Sequence, residues 1–298
     1  MDGVLLIDKP TGPTSHDVVA RIRTVSGERS VGHTGTLDPL ATGLLPLVLG
    51  KATRLSPFLT GHDKAYEAVV RLGFSTDTDD SLGQPIGPES EERPDEAHVR
   101  EAIERFRGDL HQMPPQHSAK KVGGHKAYDL ARQEQAVKLE PVAVTVHQIE
   151  CTRVERDHVH LTVTAGAGFY VRSLARDLGH ALGCGAHLAA LRRTRAGQFR
   201  VEDALPLADA ERLGRAVSDR LITSSDALSE LSAVTVTPAG SKRALHGNPL
   251  SPEHLAGRWV PPPGGPGRSA VRILDETGRL IALAYSRGGA LHPAVVLG

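Results

Sequence analysis

The chain has little of what several protein classes depend on. Only two of its 298 residues are cysteines, Cys151 and Cys184, and they lack the spacing of a zinc ligand set. Two thiols make a weak disulfide framework, so both read as small apolar residues buried in a reducing cytoplasm. Aromatic residues are scarce at 3%, which leaves few side chains able to serve as stacking platforms. No apolar run approaches the roughly 20 residues that cross a bilayer. The opening MDGVLLIDKPTG carries an acid at its start and only a short apolar stretch, unlike a secretory signal. A Walker loop and a dinucleotide fingerprint are both missing, so the sequence offers no sign of nucleotide-driven or hydride-transfer chemistry.

Net charge is lacking too, since 35 basic side chains balance 35 acidic ones. That balance excludes a uniformly basic surface of the kind many nucleic-acid binders carry. The charges are nevertheless segregated. Between residues 168 and 200, six arginines (172, 176, 192, 193, 195 and 200) face Asp177 alone. Residues 118–138 hold Lys120, Lys121, Lys126, Arg132 and Lys138 against two acids, whereas residues 77–104 hold ten acids against two arginines. A neutral protein can therefore present one basic face, provided that the acidic segment stays off it. Solvated faces without a partner account for the same distribution.

What the chain does have is one unusual segment. Residues 32–43 read GHTGTLDPLATG, with three glycines, three threonines and a proline in twelve positions. Such a composition specifies a shaped loop rather than the interior of a helix or strand. Asp38 is its only carboxylate. A lone acid in an otherwise uncharged, shaped loop is a candidate nucleophile or general base. An Asx turn, in which Asp38 bonds its own backbone, uses the same residue types.

The length suits one large domain with a smaller one, and 39% hydrophobic residues can fill a core. Val4 to Ile7 reads as a strand, and Ser15 as the cap of a helix carrying Val18, Val19, Ile22 and Val25 that stops at Gly27. Leu44 to Gly50 is a buried segment, residues 52–59 suit a short helix, and Tyr66 to Leu72 a strand. Residues 75–94 are polar and read as a surface loop. Asp95 caps a helix with Val99, Ile103 and Phe106 inward. Gly123-Gly124 reads as a hairpin turn, and Ala127 to Gln133 as helical. Val142 to Val154 and Val159 to Val163 read as paired strands. Phe169 to Leu182 reads as an amphipathic helix on which Arg172 and Arg176 lie one turn apart. Leu188 to Leu191 and Gly197 to Val201 close the sheet region. The texture changes near residue 228. A short helix over Pro238 to His246, a flexible Pro/Gly loop over 261–267 and strands at Val271–Leu274, Leu280–Tyr285 and Leu291–Leu297 make a small β-rich module.

The loop resembles the active-site motif of the TruB family of tRNA pseudouridine synthases. Further blocks follow in that family's order: Gly3 to Gly12 with Thr14-Ser15; Lys64-Ala65-Tyr66; Pro114-Pro115, Ser118-Ala119, Lys121, Gly124 and Tyr128; Gly168 to Leu174; and Gly183 to Leu188 with Leu191 to Thr194. Together they span roughly residues 3 to 200. One departure is His117, where the family block usually has tyrosine. The resemblance implies an α+β fold, a mixed, mainly antiparallel sheet flanked by helices, with catalytic residues 1–228. It also implies a PUA-like or TruB-type RNA-binding domain over 229–298. The implied activity is isomerisation of uridine 55 in the T loop of tRNA, on a flipped-out base, with no cofactor and no metal. The implied partner is the T-arm stem-loop, with no membrane and no obligate protein partner. Asp38 takes the nucleophile's position, Tyr66 that of a tyrosine stacked on the target base, and Arg172 that of an arginine paired with the aspartate. Tyr170 and Leu191 match residues lining the uracil pocket, and His33 one that fills space left by everted nucleotides. Lys9 matches either a strand-end lysine near the site or a phosphate contact.

Two other functions compete. A non-catalytic RNA-binding or tRNA-folding protein would also use the basic segments and the β-rich module. Thr34-Gly35-Thr36-Leu37 echoes the nucleophile loop of phosphoryl-transferring ATPases, but there the aspartate precedes the threonine-glycine pair, whereas Asp38 follows it.

Overall fold

A computed structural model of the chain describes residues 1–92, 94–116, 139–257 and 270–298, together with the backbone of 121–122 and 125–126. The readings at His117, Ser118-Ala119, Gly123-Gly124, Tyr128, the helix over Ala127 to Gln133 and the loop over 261–267 lie outside the described residues.

Gly3 to Lys9 form β1, an almost fully buried strand whose unbroken apolar run suits a position covered on both faces. Helix α1 (Ser15–Ser26) follows. Its cap is Thr14 rather than Ser15: the Thr14 hydroxyl accepts from Asp17 N–H while Asp17 reaches back to Thr14, a reciprocal capping box. Gly27, at φ 72°, ends the helix in the left-handed conformation that glycine tolerates best. Ser15, displaced from capping, turns its hydroxyl to another task described below. The strands β2 (Val31–His33) and β3 (Thr42–Leu49) flank the glycine-rich loop. A 3-10 turn (Gly50–Leu55) and helix α2 (Ser56–Thr60) precede β4 (Lys64–Leu72).

Residues 75–94 are more than a surface loop. They contain a small ribbon of β5 (Ser75–Thr76) and β6 (Pro85–Ile86), and Thr76 and Asp80 are buried. Ser81 N–H donates to the Leu188 carbonyl and Leu188 N–H to the Asp79 carbonyl, which pins this acidic segment against the main sheet. Asp95 caps α3 (Glu96–Glu104), as its sequence suggests. Next come β7 (Gly108–Gln112), the paired β8 (Lys121–Val122) and β9 (His125–Lys126), β10 (Val142–Glu155) and β11 (His158–Ala165).

Helix α4 (Val171–Ala181) starts two residues later than its apolar pattern implies, because Tyr170 stays extended at φ −116° and ψ 115°. Strand β12 (Ala186–Ala196) is a single long element rather than the short segment expected. The elements β13 (Phe199–Arg200), β14 (Leu205–Pro206) and α5 (Leu207–Leu213) complete this part of the chain.

Ten strands among the described residues form one sheet along the path β14-β1-β3-β12-β4-β11-β10-β7, with β2 on β3 and β13 on β12. Most neighbours are antiparallel; β3 and β12 meet in parallel at Thr42–Arg192 and Gly43–Arg193. Helices α1, α3 and α4 cover one face through a core that includes Ile7, Val18, Ile22, Leu45, Val70, Val99, Leu161, Leu174 and Leu178. The sheet is the mixed, mainly antiparallel one expected from the sequence.

A separate four-stranded sheet follows, ordered β15 (Ala233–Thr235), β16 (Ala270–Leu274), β17 (Leu280–Arg287) and β18 (Ala290–Val296), with α6 (Pro238–Leu245) against it. Leu280, Leu283 and Leu297 pack with Val4, Leu44 and Val48, so one apolar cluster joins the small sheet to the large one. Burying such side chains stabilises the joint by roughly 1.5–3 kcal/mol each.

Candidate active site

The loop between β2 and β3 is held from three directions. From α1, Ser15 both donates to the Leu37 carbonyl (3.0 Å) and accepts from the Leu37 N–H (2.8 Å). From the end of β1, the Lys9 ammonium donates to the carbonyls of Pro10 (2.8 Å) and Pro39 (3.5 Å), while Gly12 N–H donates to Pro39 (2.9 Å). From β12, Arg193 donates through Nε to the Leu44 carbonyl (2.7 Å), through Nη2 to Gly35 (3.0 Å) and through Nη1 to Thr36 (3.4 Å). Asp38 lies between these anchors.

The Asp38 side chain keeps 33% of its surface accessible and spends both carboxylate oxygens on Arg172. Arg172 Nε stands 2.9 Å from Oδ2 and Nη2 3.1 Å from Oδ1. Nη2 donates to Oδ1, whereas Nε meets Oδ2 as an ion-pair contact without a hydrogen bond, so the pair is a close, partly buried ion pair with one hydrogen bond. Arg172 is itself 6% exposed, and its Nη1 donates to the Thr78 carbonyl at 3.1 Å. Asp80 approaches Arg172 Nε at 3.9 Å, and its Oδ1 accepts from Thr78 Oγ1 (2.7 Å) and Leu82 N–H (3.0 Å). One turn on, Arg176 pairs with Asp79 at 3.1 Å. Burial raises the Asp79 carboxyl above its ordinary value against the pull of Arg176 and Arg172. Two members of the acidic segment thus sit directly on the arginine helix instead of standing clear of it.

Tyr66 is buried on β4, opposite Arg193 in the sheet register. Burial raises its phenol above the ordinary value, with the nearby Arg193 charge opposing the rise. Tyr170 leads into α4, and its backbone is gripped at both ends by one side chain. Gln112 Oε1 accepts from Tyr170 N–H (2.8 Å), and Gln112 Nε2 donates to the Tyr170 carbonyl (3.0 Å). Asp38, Tyr66, Tyr170, Arg172 and Leu191 all line one cleft of about 310 Å³, joined there by Lys64 and Arg193. That volume falls at the lower end of small-molecule sites.

Two of the residues singled out in the sequence do not line the cleft. Lys9 is fully buried behind the loop, and burial lowers its ammonium to about 8 even though Asp38 pulls the other way. Its donors are turned to carbonyl oxygens, so its placement is that of a strand-end lysine beside the site. His33, at the end of β2, packs edge-on against His16 of α1, with ring centroids 5.5 Å apart.

Other contributors escaped the sequence. Arg193 and Lys64 sit two residues from Leu191 and Tyr66 on their strands, and strand periodicity puts each pair on one face. That spacing was available as a signal; nothing in the sequence marked Gln112. Lys64 donates to the carbonyls of Thr60 (3.0 Å) and His62 (2.7 Å), and burial brings its ammonium down to about 8. Among the described residues, no group of three His, Cys, Asp or Glu side chains stands together to share a metal ion, and no helix is long and apolar enough to cross a membrane.

A carboxylate paired with a buried arginine, facing a cleft with a phenol opposite, is equipped for nucleophilic attack on a bound ring or sugar. Comparison with known proteins points the same way. Residues 23–171 match the profile of the TruB family pseudouridylate synthase (N terminal domain), and residues 172–228 that of the tRNA pseudouridylate synthase B C-terminal domain. The chain is 42% identical to tRNA pseudouridine synthase B of Thermobifida fusca, covering 99% of this chain and 98% of that one. It is 44% identical to the protein of the same name from Dechloromonas aromatica, covering 98% and 94%. Among solved structures, it resembles a chain of a Cbf5-Nop10-Gar1 complex with TM-score 0.76 and 28% identity, over 99% of this chain and 85% of that one. It also resembles a chain of an H/ACA RNP bound to a substrate RNA containing 2'-deoxyuridine, with TM-score 0.74, 26% identity and coverage of 99% and 85%.

Proposed function

The chain belongs to the TruB family of pseudouridylate synthases and forms pseudouridine in tRNA, and we propose that its target is uridine 55 of the T loop. In this reading the uridine leaves the stack and enters the cleft, with Asp38 as nucleophile. The N1–C1′ bond breaks, the uracil turns, and C5 bonds to C1′; the proton lost from C5 is balanced by one gained at N1. No redox change and no energy input are required. The carboxylate serves equally for addition at C1′ or at C6.

The observation that carries the reading is the Asp38–Arg172 ion pair in a cleft shared with Tyr66. The arginine contact fixes the direction of the carboxylate. Tyr66 stacks on the everted base, and Tyr170 and Leu191 close over its edges. Stacking on an aromatic side chain contributes about 1–3 kcal/mol per base, which offsets part of the few kcal/mol needed to extrude it. His33, beside His16 at the loop's entrance strand, occupies space vacated by the everted nucleotide.

Residues 1–228 form the catalytic part, and residues 229–298, with their own sheet, add a second RNA contact. The substrate is the folded T arm, and the protein works on it in the cytoplasm without an obligate protein partner. The deciding experiment incubates purified protein with a tRNA transcript and maps pseudouridine by position. Modification confined to position 55, abolished in Asp38→Asn while tRNA binding persists, is the expected result. Tight tRNA binding with no pseudouridine from the unaltered protein would make it an RNA-binding or tRNA-folding protein instead.

A further inference from the structure

Arg176 stands one turn beyond Arg172 on α4 and does not line the cleft. Its three guanidinium nitrogens go to three different parts of the fold. Nη1 donates to Asp79 Oδ2 in the acidic segment (3.1 Å), Nε to Asp177 Oδ1 on its own helix (2.9 Å), and Nη2 to the Met113 carbonyl just past β7 (2.9 Å). A compact ammonium cannot hold partners spread in this way.

Asp79, at the other end of the first contact, is kept in an uncommon shape. Its φ of 61° lies in the left-handed region, which is strained for a residue with a side chain even though aspartate tolerates it better than most. Three contacts fix it there. Its N–H donates to the Thr76 carbonyl (3.2 Å), its carbonyl accepts from Leu188 N–H on β12 (3.0 Å), and its carboxylate takes Arg176. The two paired side chains are only 13% and 18% exposed, so water screens them little. Because the Thr78–Asp79 peptide is planar, fixing Asp79 also fixes the direction of the Thr78 carbonyl. That carbonyl accepts from Arg172 Nη1 at 3.1 Å, the one nitrogen of this guanidinium not turned to Asp38.

We propose that Arg176 and Asp79 are positioning residues: their ion pair clamps the 77–80 turn onto α4, so that the Thr78 carbonyl holds the Arg172 guanidinium in line with Asp38. The proposal rests on the function given above, in which Asp38 attacks. A reacting group misplaced by about 1 Å can lose about a hundredfold in rate, so a clamp remote from the uridine still bears on turnover. In this role neither residue touches the uridine.

The test is a double-mutant cycle on the full chain with a tRNA transcript, measuring single-turnover pseudouridine formation and tRNA affinity. Asp79→Asn removes the charge but keeps a side chain that accepts the left-handed backbone. It should slow the reaction about tenfold, with affinity changed less than about twofold. In an Arg172→Lys background, where the guanidinium to be held is gone, it should slow the reaction less than about threefold, because effects that pass through one residue are non-additive. Equal slowing in both backgrounds marks a merely structural role and overturns the proposal, as does an unaltered rate in the single variant. Arg176→Gln repeats the cycle from the other side of the pair. Nitrogen NMR provides a readout independent of turnover: the Arg172 Nε–H resonance, identified by its loss in Arg172→Lys, should shift in Asp79→Asn. An unmoved resonance, or failure of both Asp79→Asn and Arg176→Gln to fold, also overturns it. Absence of pseudouridine from the unaltered protein would instead sink the functional reading, and the resonance would still decide the clamp.

Discussion

Arg172 meets Asp38 with Nη2 donating at 3.1 Å and Nε in ion-pair contact at 2.9 Å, while its Nη1 donates to the Thr78 carbonyl at 3.1 Å, a spread of contacts that one ammonium cannot make. Arg172→Lys should therefore leave tRNA affinity within about threefold while lowering turnover by about a hundredfold, the scale of a small misplacement of a reacting group. A filter-binding assay beside a pseudouridine time course measures both. Turnover within threefold of the unaltered protein would show that the guanidinium is dispensable.

Lys64 should make tRNA binding depend on pH. Its ammonium, ordinarily at 10.5, is lowered to about 8 chiefly by burial, with the Arg193 charge adding to the effect. It is a cation at pH 7 and loses its charge as pH rises through about 8, so phosphate attraction in the cleft weakens over that window. Stability moves in the opposite direction. Between about 8 and 10.5 the unfolded chain still holds a proton there that the folded chain has released, so this group's contribution to stability rises with pH. Salt titrations of affinity at pH 7 and 9 should show a drop at the higher pH that disappears in Lys64→Met, along with a salt slope lower by about one. Equal drops in both proteins would exclude Lys64 as the cause.

Gln112 bonds both backbone groups of Tyr170. Gln112→Ala removes a donor and an acceptor from a nearly buried position and should cost about 1–3 kcal/mol in urea unfolding. With Tyr170 released, KM for tRNA should rise more than kcat falls. An unchanged KM would separate the clamp from the base pocket.

Gly43 closes the loop where β3 meets β12, at φ 98°. A Cβ there would lie 2.3 Å from the Arg193 carbonyl oxygen. Both the left-handed angle and the backbone clash oppose any side chain, so Gly43→Ala should destabilise the protein by roughly 3 kcal/mol or more. Thermal unfolding within a degree or two of the unaltered protein would contradict this geometry.

Much of the fold was legible because the relevant signals are local. The apolar run at Val4–Ile7, the spacing of Val18, Val19 and Ile22 before Gly27, and the alternation through β10 and β11 each fix an element by its own pattern. The cleft was legible in part: the motif residues Asp38, Tyr66, Tyr170, Arg172 and Leu191 do converge. Arg193 escaped because an arginine among five others in a basic stretch looks like solvated charge, and only the register of β12 turns it inward. Asp79 and Asp80 escaped for the same reason, since a polar, proline-punctuated stretch gives no sign of being tied to Leu188. Ser15 was assigned to a helix end, and tertiary contact with Leu37 claimed its hydroxyl instead.

The Asp38 loop owes its shape to Ser15, Lys9 and Arg193, which come from a helix, a neighbouring strand and a strand some 150 residues away. The twelve-residue motif is consequently not a portable cassette: transplanted into another scaffold it would keep its letters and lose its form. The working position of the acid thus depends on the docked long strand Ala186–Ala196, which carries Arg193 to the loop.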